Sequence, residues 1–308
     1  MRRAQLDPGL SVHVHAAREL RYDRPAETTD DRPDHVRAAS GLAVQGGRLV
    51  VVQDDASFLA VVATDGVSAI KLPRGLDGRR RFEVAIGNKL DKLDLESCVA
   101  IDGELWAFGS GSLPIRDKIC RVHYATPRVI EAAPFYNRLR EALGSSINLE
   151  GAARLGNQLW LFHRGNTGAT DVGPAILKVS FAGLRAWLDG LEAMPLVDAV
   201  EGFDLGTIAG HRLGFTDAVA HAGRVFYLAT AEAAANAVDD GAVLGSQLGV
   251  ITADAVRAAT LIGLDGRPVK AEGLALDPAR PGRGWVALDP DDTEKPATLL
   301  EIELVGSW

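Results

Sequence analysis

SGLAVQGGRL (residues 40–49), ESCVAIDGEL (96–105), EGAARLGNQL (150–159), TDAVAHAGRV (216–225) and EGLALDPARPGRGW (272–285) are five copies of one pattern. Each opens on an oxygen-bearing side chain, at Ser40, Glu96, Glu150, Thr216 and Glu272. The first four reach the next apolar strand entry nine residues later, at Leu49, Leu105, Leu159 and Val225, so the openers are equivalent positions. They are separated by 56, 54, 66 and 56 residues, a period too long for a helical solenoid and suited to about four short strands per copy. The pattern predicts an all-β chain, a five-bladed β-propeller with one opener from each blade facing the axis.

Composition agrees. The 308 residues fit a single domain over 1–308, because closed all-β folds of this size run as one unit. The 33 glycines suit the many tight turns between short strands. No apolar run approaches a membrane span, and MRRAQLDPG places Asp7 and Pro8 where a signal peptide needs apolar residues. A cytoplasmic setting without membrane contact is the expectation. Cys98 and Cys120 are the two cysteines, which indicates neither a disulfide framework nor a thiolate zinc site. The net charge of −8, with Arg79, Arg80 and Arg81 as the densest basic run, argues against a nucleic-acid partner.

The copies are filled in different ways. The first reads as four strands with Gly-Gly, Asp-Asp-Ala-Ser and Asp65-Gly66 turns. After the second, Leu139 and Leu143 recur at helical spacing. In the third, Phe181, Leu184, Trp187, Leu188 and Leu191 form an apolar stripe that predicts a helix covering the blade edge. In the fourth, Thr252 is placed to cap one helical turn over ADAVRAA. The fifth has 37 residues from Glu272 onward, short of a fourth strand. The alternating segment 11–22, SVHVHAARELRY, is therefore expected to complete it and to remove the open sheet edges.

In a propeller, the start of each innermost strand and the end of each second strand lie on one face. The second-strand ends bring Asp54 and Asp55; Ser110 and Ser112; His163, Arg164 and Asn166; Thr230 and Glu232; and Asp289, Asp291 and Asp292. The entering segments add Lys89, Lys92, Arg212, Arg267 and Lys270. Three glutamates converging on an axis repel one another unless a cation or protons intervene. The oxygen-only ligand set of Ser40, Glu96, Glu150, Thr216 and Glu272 suits Ca2+ before Mg2+ and does not suit zinc. The alternative is that the openers hydrogen-bond exposed amides and hold water in the channel.

The order Ser, Glu, Glu, Thr, Glu, one per blade, together with SGLAVQGGRLVVVQDD and its paired Asp54 and Asp55, resembles the calcium-activated nucleotidases, soluble apyrases. More loosely it resembles esterase-like and phytase-like bacterial propellers. The nucleotidase resemblance implies a calcium site at Ser40, Glu96, Glu150, Thr216 and Glu272, with Asp54, Asp55 and Arg164 beside the reacting group. The chain departs from that family after the acidic pair, where Ala56, Ser57 and Phe58 follow, and at Arg164, where Gly165 follows. Two functions stay open. One is a metal-dependent hydrolase, a monomer, cleaving an anionic phosphorylated or ester small molecule at the channel mouth. The other is a non-catalytic propeller that binds a ligand or a protein, with an ion or water on its axis.

Overall fold

A computed structural model of the chain describes residues 1–165, 168, 170–233 and 241–308. Strands account for 52% of the chain and helix for 9%, so the fold is all-β. Each opener lies in the first strand of an antiparallel four-stranded run: Ala39–Gln45, Leu95–Ile101, Leu149–Leu155, Gly214–His221 and Ala271–Leu276. In each of the five, the hydrogen-bond register with the second strand shifts at the opener. A shift of this kind is a β-bulge, which leaves one residue unpaired and re-aims its side chain. The opener strands are neighbours in sequence order, and Ala271–Leu276 also lies beside Ala39–Gln45.

Apolar residues on the faces of successive sheets form five buried clusters, each drawn from two neighbouring sheets. Glycine follows three of the openers because the opener strands approach closely there. A Cβ on Gly151 would stand 3.1 Å from the backbone of Asp217 and Ala218, and one on Gly273 would stand 3.0 Å from the Leu42 side chain.

Segment Ser11–Glu19 pairs antiparallel with Thr298–Val305 and supplies the fourth strand of the last sheet. Helix Ala133–Leu143 follows the second sheet and buries Phe135, Tyr136, Leu139 and Leu143, as the leucine spacing predicts. Two expectations are corrected. The apolar stripe of the third copy is helical only over Phe181–Leu188; Gly190 adopts a left-handed φ of 73°, and Leu191 lies beyond it, 77% exposed. No helical turn follows Thr252. Its Oγ1 accepts the Ala255 amide at 3.1 Å, closing a turn, and Val256–Leu261 is a strand paired with Val243–Ile251. Cross-strand pairing outweighs the helix propensity of its alanines. A strand absent from the sequence reading, Arg2–Leu6, runs parallel to both Val197–Asp204 and Val256–Leu261 and joins the third and fourth sheets. Its polar RRAQL sequence carries no apolar alternation.

The fully buried Asp217, next to the opener Thr216, ties three sheets together. Its Oδ2 accepts the Leu274 amide at 2.7 Å and the Leu42 amide at 3.4 Å, and Oδ1 accepts its neighbour Ala218 at 2.8 Å. Burial pushes its carboxyl well above the usual range against the pull of these amides. Removing the side chain strands two amides of other sheets. Asp217→Ala should lower the unfolding free energy by about 2–4 kcal/mol in chemical denaturation, and Asp217→Asn by less. An unchanged midpoint for the alanine variant would show that the carboxylate does not tie the sheets.

Candidate functional site

The bulges direct the openers to one region but give them different work. Ser40 Oγ donates to the Leu95 carbonyl at 2.7 Å, and Thr216 Oγ1 donates to the Ala271 carbonyl at 2.6 Å. Each hydroxyl thus bridges to the residue just before the next opener. Glu96, Glu150 and Glu272 line a pocket of about 360 Å3 together with Ser40, Asp54, Asp55 and Arg164; Thr216 does not line it. Residues two positions before the openers share their strand face. Four of them, Ala38, Asp94, Asn148 and Lys270, also line the pocket.

Among the described residues, eleven carboxylates and five cationic side chains line this space. Lys92 pairs with Asp54 and, at 2.6 Å, with Asp94. Asp94 also meets Arg116 at 2.9 Å and receives the Ser110 hydroxyl. Lys92 and Arg116 hold Asp94 ionised against its burial, and Asp54, Asp94 and Glu96 hold Lys92 protonated against its own. Arg164 sits between Glu150 (3.2 Å) and Glu232 (3.1 Å), and Glu150 takes a second hydrogen bond from Asn148 at 2.7 Å. Lys270 pairs with Asp291 and lies 3.4, 3.7 and 3.6 Å from Glu232, Glu272 and Asp289.

Asp55 is oriented from behind. Buried Arg37 grips its Oδ2 through Nε (3.1 Å) and Nη2 (2.8 Å) and reaches Glu83 at 2.6 Å through Nη1. Asp55 Oδ1 keeps no hydrogen-bond partner among the described residues. Burial, then the neighbouring Asp54 charge, push Asp55 up to about 6. Carboxylate oxygens of Asp54, Asp94 and Glu96 lie within 4.8 Å of one another. Burial, then Asp54, Asp94 and Glu150, push Glu96 well above the usual range, and burial does the same to Glu272.

The expected rim is brought together only in part. Asp54, Asp55, Ser112, Arg164, Glu232, Asp289, Asp291 and Asp292 line the pocket, with Lys89, Lys92 and Lys270 from the entering segments. Arg164, expected to meet a substrate anion, is engaged by two glutamates. Fully buried His163 accepts the Asn148 amide on Nδ1 at 3.0 Å and has a structural task. Thr230 is buried and donates to the Ala271 carbonyl at 3.1 Å. Arg212 bonds Gly165 and Asp171, and Arg267 stays in solvent beside Asp265. Asn166 lies outside the described residues. The sequence reading missed Asp94, Arg116 and the Arg37–Glu83 pair. A search two residues before each opener would have found Asp94; nothing in the repeat marks Arg37.

Burial also holds Asp289 up to about 7, with Asp291 and Asp54 adding to it and Lys270 opposing it. Its ordinary value is 3.8, so the folded chain binds this proton more tightly than the unfolded chain. The resulting stability is present in acid and lost as pH rises through about 7. Asp171, lowered to about 2, acts in the opposite direction, but below this window. In a chelator, the unfolding temperature should therefore fall between about pH 5 and pH 8, and Asp289→Asn should flatten that slope. A slope that rises instead would contradict this electrostatic picture.

Comparison with solved structures finds a fold of the β-propeller-like kind. The mannose phosphorylase MPT-4 from Leishmania mexicana, in complex with phosphate ion, aligns at a TM-score of 0.50 and 12% identity, over 94% of this chain and 89% of that one. Glutaminyl cyclase from Myxococcus xanthus aligns at 0.48 and 11%, over 96% and 97%. The PQQ-bound aldose sugar dehydrogenase from Streptomyces coelicolor aligns at 0.40 and 13%, over 97% and 100%. At such identities the likeness concerns the fold alone. Among the described residues, no helix is long and apolar enough to cross a membrane. No curated protein sequence matches. Residues 35–304 match the profile of a family described as a family of unknown function, DUF6929, and the chain belongs to that family.

Proposed function

We propose that this chain is a single five-bladed propeller over residues 1–308, its ring completed by segment 11–22, and that the pocket is the site of a divalent-cation-dependent hydrolase acting on a small phosphorylated or ester molecule. The observation that carries this reading is the convergence of Asp54, Asp94 and Glu96 within 4.8 Å on the wall of a pocket with surplus carboxylate. The donor set fits a hard ion, Ca2+ before Mg2+, since it offers carboxylate oxygen without His or Cys. Asp54 Oδ1 is buried without a hydrogen-bond partner, and Glu96 makes no hydrogen bond among the described residues. Lys92 and Arg116 pair directly with Asp54 and Asp94, whereas Lys92 acts on Glu96 only through its field. These three residues would hold the ion; Ser40, Glu150 and Glu272 line the same pocket, and Thr216 does not. When bound, Ca2+ supplies Lewis acidity at a substrate oxygen.

The chain's own chemistry centres on Asp55. Arg37 fixes one oxygen and leaves the other free to accept a proton from water, and a carboxyl at about 6 is largely ionised at neutral pH yet basic enough for that task. Arg164 neutralises Glu150 and Glu232 and so lowers the repulsion on an entering substrate oxygen.

Calorimetric titration of Ca2+ into chelator-stripped protein should show one site, and Glu96→Gln should weaken it about tenfold or more by removing one ligand charge. Unchanged binding in that variant would remove Glu96 from the site. On a panel of chromogenic phosphates and esters, turnover should require Ca2+, be abolished by EDTA and rise with pH through about 6 as Asp55 ionises. Asp55→Asn should lower kcat about a hundredfold with folding intact. Cation binding without turnover on any substrate would instead support a non-catalytic ligand-binding propeller.

A further inference from the structure

The hydrolase reading leaves two observations unused: apolar side chains at the pocket mouth, and the absence of surplus positive charge inside it. Residues 72–94, linking the first two sheets, fold over the pocket in two short 3-10 turns, Val84–Ile86 and Lys89–Asp91. Val84, Ala85 and Leu90 from this segment line the pocket, yet Val84 is 76% exposed and Leu90 58% exposed. They border an interior of carboxylates and give it an apolar edge. Lys92, Arg116, Arg164 and Lys270 are each held by carboxylates of this chain. A phosphate would have to compete with those partners, and a nucleotide would bring several charges to a wall of eleven carboxylates and five cations. One divalent ion does not reverse that excess.

Resting on the hydrolase reading, we infer that the substrate is an uncharged carboxylic ester with an apolar acyl group, its carbonyl at the cation and its hydrocarbon part against Val84 and Leu90. The reaction consumes one water. Its oxygen bonds to the carbonyl carbon, the bond from that carbon to the alkoxy oxygen breaks, and the proton taken by Asp55 passes to the departing alkoxide. The products are a carboxylic acid and an alcohol. Val84 and Leu90 contact only the acyl chain and so set specificity.

The test compares kcat/KM for p-nitrophenyl acetate, butyrate and hexanoate with that for p-nitrophenyl phosphate, all in millimolar Ca2+. The hexanoate should exceed the acetate by about tenfold or more, as expected when part of four extra methylenes leaves water. The phosphate should be the poorest substrate. The double variant Val84→Ser, Leu90→Ser should bring the hexanoate-to-acetate ratio down to about two. Both residues are exposed, so the fold should tolerate the change. Phosphate turnover exceeding that of every ester would overturn the inference and leave the hydrolase reading standing. Ester turnover without chain-length preference, or a ratio unmoved in the double variant, would do the same. No turnover on any of the four would overturn both.

Discussion

Buried negative charge is the constraint on which this molecule depends. Three of the five bulge positions carry glutamate, and the segments between them add Asp54, Asp55, Asp94, Glu232, Asp289 and Asp291 to the same space. Taking a carboxylate out of water costs several kcal/mol unless a partner is supplied. The chain supplies partners from fixed places: Lys92 and Arg116 at Asp94, Arg164 between Glu150 and Glu232, Lys270 amid four acids, and Arg37 behind Asp55. The compensation is incomplete, and the remainder falls unevenly. Among the described residues Glu96 has no hydrogen bond, and burial raises Asp55, Asp289, Glu96 and Glu272 together. A site whose buried acids are raised together is set up to take a proton or a cation.

The bulge links the repeat in the sequence to this charge in space. Because the register slips at the same point in all five sheets, one extra residue per repeat leaves the ladder, and four of these five residues, all but Thr216, line the pocket. That is why an oxygen-bearing residue at a fixed distance before an apolar strand entry was readable without any structure. The hydroxyl openers keep only part of the expected role. Ser40 and Thr216 donate to main-chain carbonyls and help hold neighbouring opener strands together, while the glutamates line the pocket.

What the sequence did not reveal has physical causes as well. Asp94 belongs to the site through its left-handed backbone, φ 54°, and its place two residues before Glu96, and the equivalent residues Ala38, Asn148, Gly214 and Lys270 share no chemistry that would advertise it. Arg37 comes from the segment leading into the first sheet, where no periodicity applies. Val256–Leu261 and Arg2–Leu6 are strands because of what they pair with, a property their composition does not carry. His163 read as a rim residue because it ends a second strand, but the Asn148 amide claims it. The repeat thus pointed to the pocket that four of its openers line, whereas non-repeating residues supply much of the charge around them.

The five openers occupy the same backbone position, yet the triad within 4.8 Å belongs to the interface of the first two sheets, beneath the segment that carries Val84 and Leu90. The proposed cation would therefore lie between the first two sheets and not among all five openers. Crystals grown with Ca2+ replaced by Mn2+, and measured for anomalous scattering, test this most directly. The predicted map has its strongest peak within bonding distance of Asp54, Asp94 and Glu96. A peak centred among Glu150, Thr216 and Glu272, or none at the triad at saturating metal, would contradict it.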